Sequence, residues 1–413
     1  MEPIKNFGRR TFASLSIRNY RLYFFGQGIS LCGTWMQTVA LGWLMLEITG
    51  SGVQLGSVLA VQYLPILLGG IFAGNIVDKF EKRRILYVTQ SALAVLALGL
   101  SILVFSGLIQ VWMVYLFSFL MGLATSVDNP ARQTFVHEMV GNSHLRNAVT
   151  LLATVANLAR AIGPLIAGLL IASVGTAFCF FMNAFSFIVV LVALFMIDEE
   201  ELHYEKMERR TVVGYFLPVL TYVASQRQLL QILVSMAFIG TLSYEFPVSL
   251  PLMAERIFQG DAYTYALLLS GMGIGSVLGG LYIASRQIVT MQEFAISAAL
   301  FGISICIAAL MPVLPGAIIA MVFVGYFSIN ITSAGNTILQ LGSDPAMRGR
   351  VMSLWSMAIF GTTLIGAPLV GVIAEDIGAR WGLGIGGITA LIAGTIVYSQ
   401  LSAAIPSLKK QEI

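Results

Sequence analysis

The chain has 413 residues, of which 57% are apolar and 10% charged, with a formal net charge of +3. Soluble domains carry roughly 25% charged residues, so the composition excludes an ordinary soluble protein, and the small net charge gives no sign of a nucleic-acid partner. Cys32, Cys179 and Cys306 lie far apart inside apolar runs. They lack the paired spacing of a metal or redox site, so packing is their expected role.

Twelve apolar segments follow one another, at about 21–47, 53–76, 85–106, 110–131, 146–172, 176–197, 229–254, 262–284, 291–311, 315–340, 350–374 and 381–403. Each is close to the ~20 residues a helix needs to cross a hydrocarbon core of about 30 Å. Backbone groups in lipid must be bonded within their own segment, and runs of ~25 residues are too long for barrel strands. The expected fold is an all-α polytopic membrane protein with twelve transmembrane helices. The polar, basic N-terminus shows no cleavable signal pattern, so the first span is expected to act as the insertion signal. Twenty of the 23 Lys and Arg lie at one side of the spans, only Arg256 and Arg380 lie at the other, and Arg160 is within a span. Both termini are therefore expected to face the cytoplasm.

Between the second and third spans, "GNIVDKFEKRR" at 74–84 crowds Asp78, Lys79, Glu81, Lys82, Arg83 and Arg84 into one short turn. At the end of the fourth span Asp128 and Arg132 are one helical turn apart, which allows an i,i+4 pair or an Asp78–Arg132 link. His137, Glu138 and His144 do not have the one-turn spacing of a zinc helix, and a solvated loop is expected there. Midway, the polar run 198–210 divides the spans six and six, and "TVVGYFLPVLTYVASQRQ" after it reads as an interfacial helix. The expected division is a first bundle at 1–197, a linker at 198–227 and a second bundle at 228–413. Arg146 stands 18 residues before Pro164, and Arg350 stands 18 residues before Pro368, with small residues around each proline. An offset of about 204–206 residues thus relates the halves, as in two-bundle secondary transporters.

Twelve spans, a six-plus-six repeat and the 74–84 turn resemble the major facilitator superfamily and its cytoplasmic signature motif. "DNPARQTFVHEMV", "LRNAV" and "NLARAIGPLIAGLL" are similar to the branch that holds enterobactin exporters, macrolide efflux proteins and transmembrane secretion effectors. The resemblance implies two pseudo-symmetric six-helix bundles and a cytoplasmic gate at Gly74, Asp78, Lys79, Arg83, Arg84, Asp128, Arg132, Arg348 and Arg350. Asp78 would latch the cytoplasmic side in the outward-facing state by pairing with an Arg and a helix N-terminus. For Lys82, Arg83 and Arg84 a plain topology signal is the simpler role. Glu81 departs from the family pattern, where Gly is common. Gly163, Pro164 and Gly168 match the antiporter-type motif of the fifth span.

Two ionisable groups stand at mid-span, Arg160 and Glu245, at a shared depth of about 20 Å from the cytoplasmic ends of their helices. Such residues are functional candidates by default. Arg160 could serve substrate, proton or Glu245, or be a structural hub beside Asn157. Glu245 could be a coupling carboxyl or merely face a wet vestibule. Glu47, at the outer end of the first span, is expected to be solvated. Trp35, Met36, Trp43, Tyr244 and Phe246 could line an adaptable apolar pocket. The expected function is proton-coupled export of a small, partly apolar molecule by a monomer in the bacterial inner membrane. Protons and the bilayer are its partners, and the proton gradient stands in for any cofactor. A lysophospholipid or other amphiphile transporter, an importer, and a non-transporting receptor, scaffold or enzyme are the alternatives.

Overall fold

The computed structural model describes residues 11–203, 216–286, 289–345 and 347–409, with the side chains of 69–75, 216, 217, 284 and 403–409 outside that description. Among the described residues the chain is helical, with no strand. The first half contains α1 (Arg18–Thr49), α2 (Gly52–Lys79), α3 (Lys82–Phe105), α4 (111–140), α5 (142–174) and α6 (Thr176–Phe195). After the short α7 (Phe216–Ser225) come α8 (Arg227–Ser243), α9 (Phe246–Arg256), α10 (Ala262–Ala284), α11 (Met291–Leu310) and α12 (Leu314–Gly342). The last crossings are α13 (Arg348–Ser356), a π turn (Met357–Gly361) with α14 (Thr363–Asp376), and α15 (Ala379–Lys409). Counting α8–α9 and α13–α14 as single broken crossings gives twelve spans in the described chain.

Backbone demands explain the irregular points. The fourth and fifth spans run on as helix to a single break at Gly141, whose φ of 61° lies in the left-handed region that suits glycine. His137 and Glu138 are thus on helix α4 and not in a solvated loop, and Glu138 is buried. Of the polar residues that suggested a loop, Glu138 faces inward, while His137 and His144 stay half-exposed on α4 and α5. Asp261 caps α10 through Thr264 N at 3.1 Å, and Thr290 with Glu293 forms a capping box on α11.

The chain packs as two units, one of 1–44 and 64–211 and the other of 45–63 and 212–413. The second therefore takes in the turn between the first two spans, residues 45–63. Small residues account for this. A Cβ on Gly52 would lie 3.0 Å from Gly371 O, and Gly56 is pressed harder still against Ala367 of α14, a small-residue stripe of the kind that lets membrane helices approach closely. Within the first unit α3 packs along α6; within the second, α11 packs along α15, the same pair in repeat register. The core of the first unit at the charged end gathers Tyr20, Tyr23, Phe135 and Met139, and Tyr20 Oη donates to Ala148 O at 2.7 Å.

Candidate functional site

Among the described residues, each unit carries a buried carboxylate at a helix contact. In the first, Asp128 is 2% exposed. Its Oδ1 accepts from Thr89 Oγ1 at 2.7 Å and Gln90 Nε2 at 2.8 Å, both on α3, and its Oδ2 faces Arg132 Nη2 at 3.3 Å. Arg132 also donates to Asn129 Oδ1 at 2.5 Å. Of the two expected arrangements the i,i+4 pair is the one formed. Asp78 is exposed at the end of α2 and takes part in none of the ion pairs among the described residues.

The 74–84 cluster separates into distinct jobs. Arg83 reaches the end of α6: Nη2 donates to Leu194 O at 2.8 Å and Ile197 O at 3.1 Å, Nε to Leu194 O at 3.1 Å, and Nη1 pairs with Glu199. It satisfies carbonyls that a helix C-terminus leaves open, so it is more than a topology signal. Lys82 Nζ lies 3.9 Å from buried Glu138, Arg84 Nε 2.6 Å from Glu81, and Lys79 Nζ 5.6 Å from the Phe80 ring centre. Gly74 falls among the residues whose surroundings are not described.

Deeper in the same unit the Arg160 guanidinium stacks 5.0 Å from the Trp35 ring centre, a cation–π contact. One turn on, a Cβ at Gly163 would lie 2.7 Å from Trp35 Cβ and 2.9 Å from Cys32 O, so α5 and α1 touch backbone to backbone. Pro164 and Gly168 are buried on the same helix. Asn183 Nδ2 donates to Gln37 Oε1 at 2.6 Å. That amide pair was not singled out from sequence because its members are 146 residues apart.

In the second unit the junction lies between the seventh and eleventh crossings, which correspond in the repeat to the α1–α5 contact and not to the Asp128 site. Tyr244 and Glu245 break the seventh crossing between α8 and α9. Pro247 lies at the start of α9 and lacks the N–H that a continuous helix would use. Glu245 O accepts from Val248 N at 3.1 Å and Ser249 N at 3.0 Å, restarting the helix. The carboxyl is 3% exposed, so it does not face a wet vestibule. It lies beside the Thr363 hydroxyl and against Gly366, where a Cβ would be 2.9 Å from Oε1. Oε1 has no hydrogen-bond partner. Thr363 follows the π turn, a feature that recurs at functional sites. Tyr244 Oη donates to Ser328 O at 3.3 Å, and its ring centre is 5.3 Å from that of Phe301. Phe246, also on Phe301, is 3% exposed and Met36 5%. Both are core residues, while Trp35, Trp43 and Tyr244 are half-buried.

The two cations that broke the charge rule are also caps. Arg256 Nη2 donates to Gly50 O at 2.8 Å, and Arg380 Nη1 to Ala309 O at 2.7 Å and Met311 O at 3.1 Å. Glu375 Oε2 accepts from Ser51 Oγ at 2.7 Å and Val53 N at 3.0 Å. At the other side, Arg348 is exposed and Arg350 half-buried, its Nη1 3.4 Å from Met347 Sδ.

Residues 9–412 match the family described as transmembrane secretion effector. The chain belongs to that family. Among the relatives of this secretion effector are the staphyloferrin A transporter of Staphylococcus aureus, 24% identical over 91% of this chain and 95% of its own length, and the multidrug efflux pump Tap of Mycolicibacterium fortuitum, 25% identical over 84% and 87%. The enterobactin exporter EntS of Salmonella paratyphi A is 22% identical over 85% of this chain and 84% of its own. In fold, the secretion effector resembles a peptide transporter POT crystallised with sulfate, with a TM-score of 0.75 at 14% identity over 94% of each chain. The nucleoside transporter NupG gives 0.72 at 11% identity over 92% of this chain and 99% of its own. The family and fold are those of major facilitator transporters, multi-pass membrane proteins that are not enzymes.

Proposed function

We propose that this secretion effector exports a small, partly apolar organic molecule of drug, macrolide or siderophore type across the bacterial inner membrane in exchange for protons. It works as a monomer with both termini in the cytoplasm and needs no bound cofactor. The relatives named for siderophore and multidrug export support the substrate class and direction. The observation that carries the coupling is Glu245, a carboxyl sealed into a helix break with one oxygen left without a donor. A buried acceptor in that state is costly unless a proton or a ligand donor satisfies it, and broken helices at mid-membrane depth are where secondary transporters hold their coupling ions. Alternating access would expose this site to each side in turn, with Asp78 as the cytoplasmic latch.

The test uses everted membrane vesicles from cells that make the chain, with a panel of a macrolide, a carboxylate siderophore and a catecholate siderophore as labelled probes. Accumulation of at least one, raised by an acidic lumen and abolished by a protonophore, is the expected result. Uptake indifferent to the pH gradient would refute the coupling, and uptake of none in the panel would refute the substrate class. In the same vesicles Asp78→Asn is expected to slow transport by roughly ten- to hundredfold, in line with loss of a charge-assisted latch bond of about 1.5–3 kcal/mol. Wild-type rates would remove the latch role.

A further inference from the structure

Beside the Asp128 junction the first unit has a cavity of about 760 Å³ between the end of α2, the outer face of α3 and the middle of α4. Its walls are apolar, and several are open to the outside: Val88 is 70% exposed, Val95 69% and Phe80 52%. On a membrane-spanning helix such residues face acyl chains. The groove follows α3 from Arg84 to Leu96, which at 1.5 Å per residue is about 18 Å, close to one leaflet of a hydrocarbon core about 30 Å thick. It is thus open sideways, one leaflet deep and without polar demands along its length.

One end of it is charged. The Arg84 side chain lines the mouth at the α2–α3 turn and is 79% exposed, held only by Glu81 in the adjoining turn. Lys79 lies over Phe80, which itself forms part of the groove. Lys82 and Arg83 are already engaged by Glu138, Glu199 and the α6 carbonyls. The cations left for an outside ligand are therefore those at the groove mouth.

We infer that the groove holds one acyl chain of a membrane phospholipid from the leaflet on the side of the α2–α3 turn, with the lipid phosphodiester on Arg84 and Lys79. An anion at the mouth and a hydrocarbon chain along the walls match the two chemistries of the site. The lipid also touches the polar junction, because Thr89 lines the groove and donates to Asp128. Occupancy of the groove then stiffens the α3–α4 contact on which Asp128 and Arg132 depend.

Native mass spectrometry of the purified full chain tests this. Delipidated protein is titrated with phosphatidylglycerol and, separately, with diacylglycerol, which has the chains without the phosphate. Phosphatidylglycerol is expected to bind about thirtyfold more tightly than diacylglycerol, as two surface cation–phosphate contacts of about 1 kcal/mol each imply. Arg84→Gln, at an exposed position that leaves folding intact, should cut that preference to about fivefold while both lipids still bind. Ala92→Trp, which fills the groove at a half-buried wall position, should remove binding of both and should also remove the rise in melting temperature that phosphatidylglycerol gives the wild type. Equal binding of the two lipids to the wild type, competition by free glycerol phosphate at concentrations that match the lipid, or full lipid binding by the Ala92→Trp protein would each overturn the inference.

Discussion

Arg83, Asp128 and Glu245 illustrate three fates of a charge in this chain. Arg83 is a cap, and its loss should act on stability. Arg83→Ala strips charge-assisted bonds from half-buried carbonyls at the end of α6, and a cost of about 1–3 kcal/mol is expected. Unfolding in detergent measures it, with Arg83→Lys restoring part; an unchanged melting temperature in the alanine protein would deny the capping role. Asp128 is a hub, with three donors on two oxygens. Asp128→Ala leaves Arg132 without its buried partner and should cost about 3–5 kcal/mol, the range for breaking one side of a buried pair. Asp128→Asn keeps an acceptor for Thr89 or Gln90 and should cost clearly less. Equal melting temperatures for the two variants would argue against the hub. Little of this was readable from residue order. The Asp128–Arg132 pair is local and showed in the spacing, whereas the partners of Arg83 lie 111 residues away and Thr363 carries no signal that it sits beside Glu245.

At the scale of elements the apolar runs were legible because hydrocarbon thickness dictates their length, and the repeat was legible because Arg and Pro recur at matched spacing. The helical passage through 132–140 was not, since polar residues on a helix leaving the membrane look like a loop until Gly141 is seen as its only break. The interruption of the seventh crossing at Tyr244 and Glu245 was not read from sequence, although Pro247 stands beside it, and the π turn facing it leaves no composition signal. Contact between these two irregular elements depends on glycine. Gly366 meets Thr241 O and Glu245, and Gly240 meets Ala358 O, so Gly366→Ala forces α8 and α14 apart. Overpacking of this kind costs about 1–3 kcal/mol, and transport should fall with it. Gly280, where a Cβ meets nothing within 4 Å, is the control. Gly280→Ala should be neutral or stabilise by roughly 0.5–1 kcal/mol through helix propensity. If both alanine variants melt and transport alike, the tight contact has no functional weight.

For the whole molecule, the packing that matters most is that of 45–63 against α14 within one unit. Nothing in composition marks it. Gly52 and Gly56 are ordinary small residues until their partners Gly371 and Ala367 are known, and nothing in residue order joins Glu375 to α2. Glu375 caps α2 from another helix. Glu375→Ala should raise amide hydrogen exchange at 52–56 by roughly tenfold, the equivalent of losing an N-cap of about 1 kcal/mol or slightly more. Unaltered exchange there would show the cap to be idle. The proposed cycle requires this end and the Asp78 end to open alternately, with Glu245 carrying the proton between them.

That requirement is tested most directly by comparing two assays of Glu245→Gln in the same proteoliposomes: substrate counterflow without a gradient, and transport driven by an imposed pH gradient. Glutamine retains the size and the polar contacts of the carboxyl and cannot bind the transported proton. Counterflow within about threefold of wild type, together with loss of the response to the gradient, is the predicted result, because exchange needs alternating access but not proton binding. A Glu245→Gln protein that still concentrates its substrate in response to the gradient as the wild type does would contradict the account.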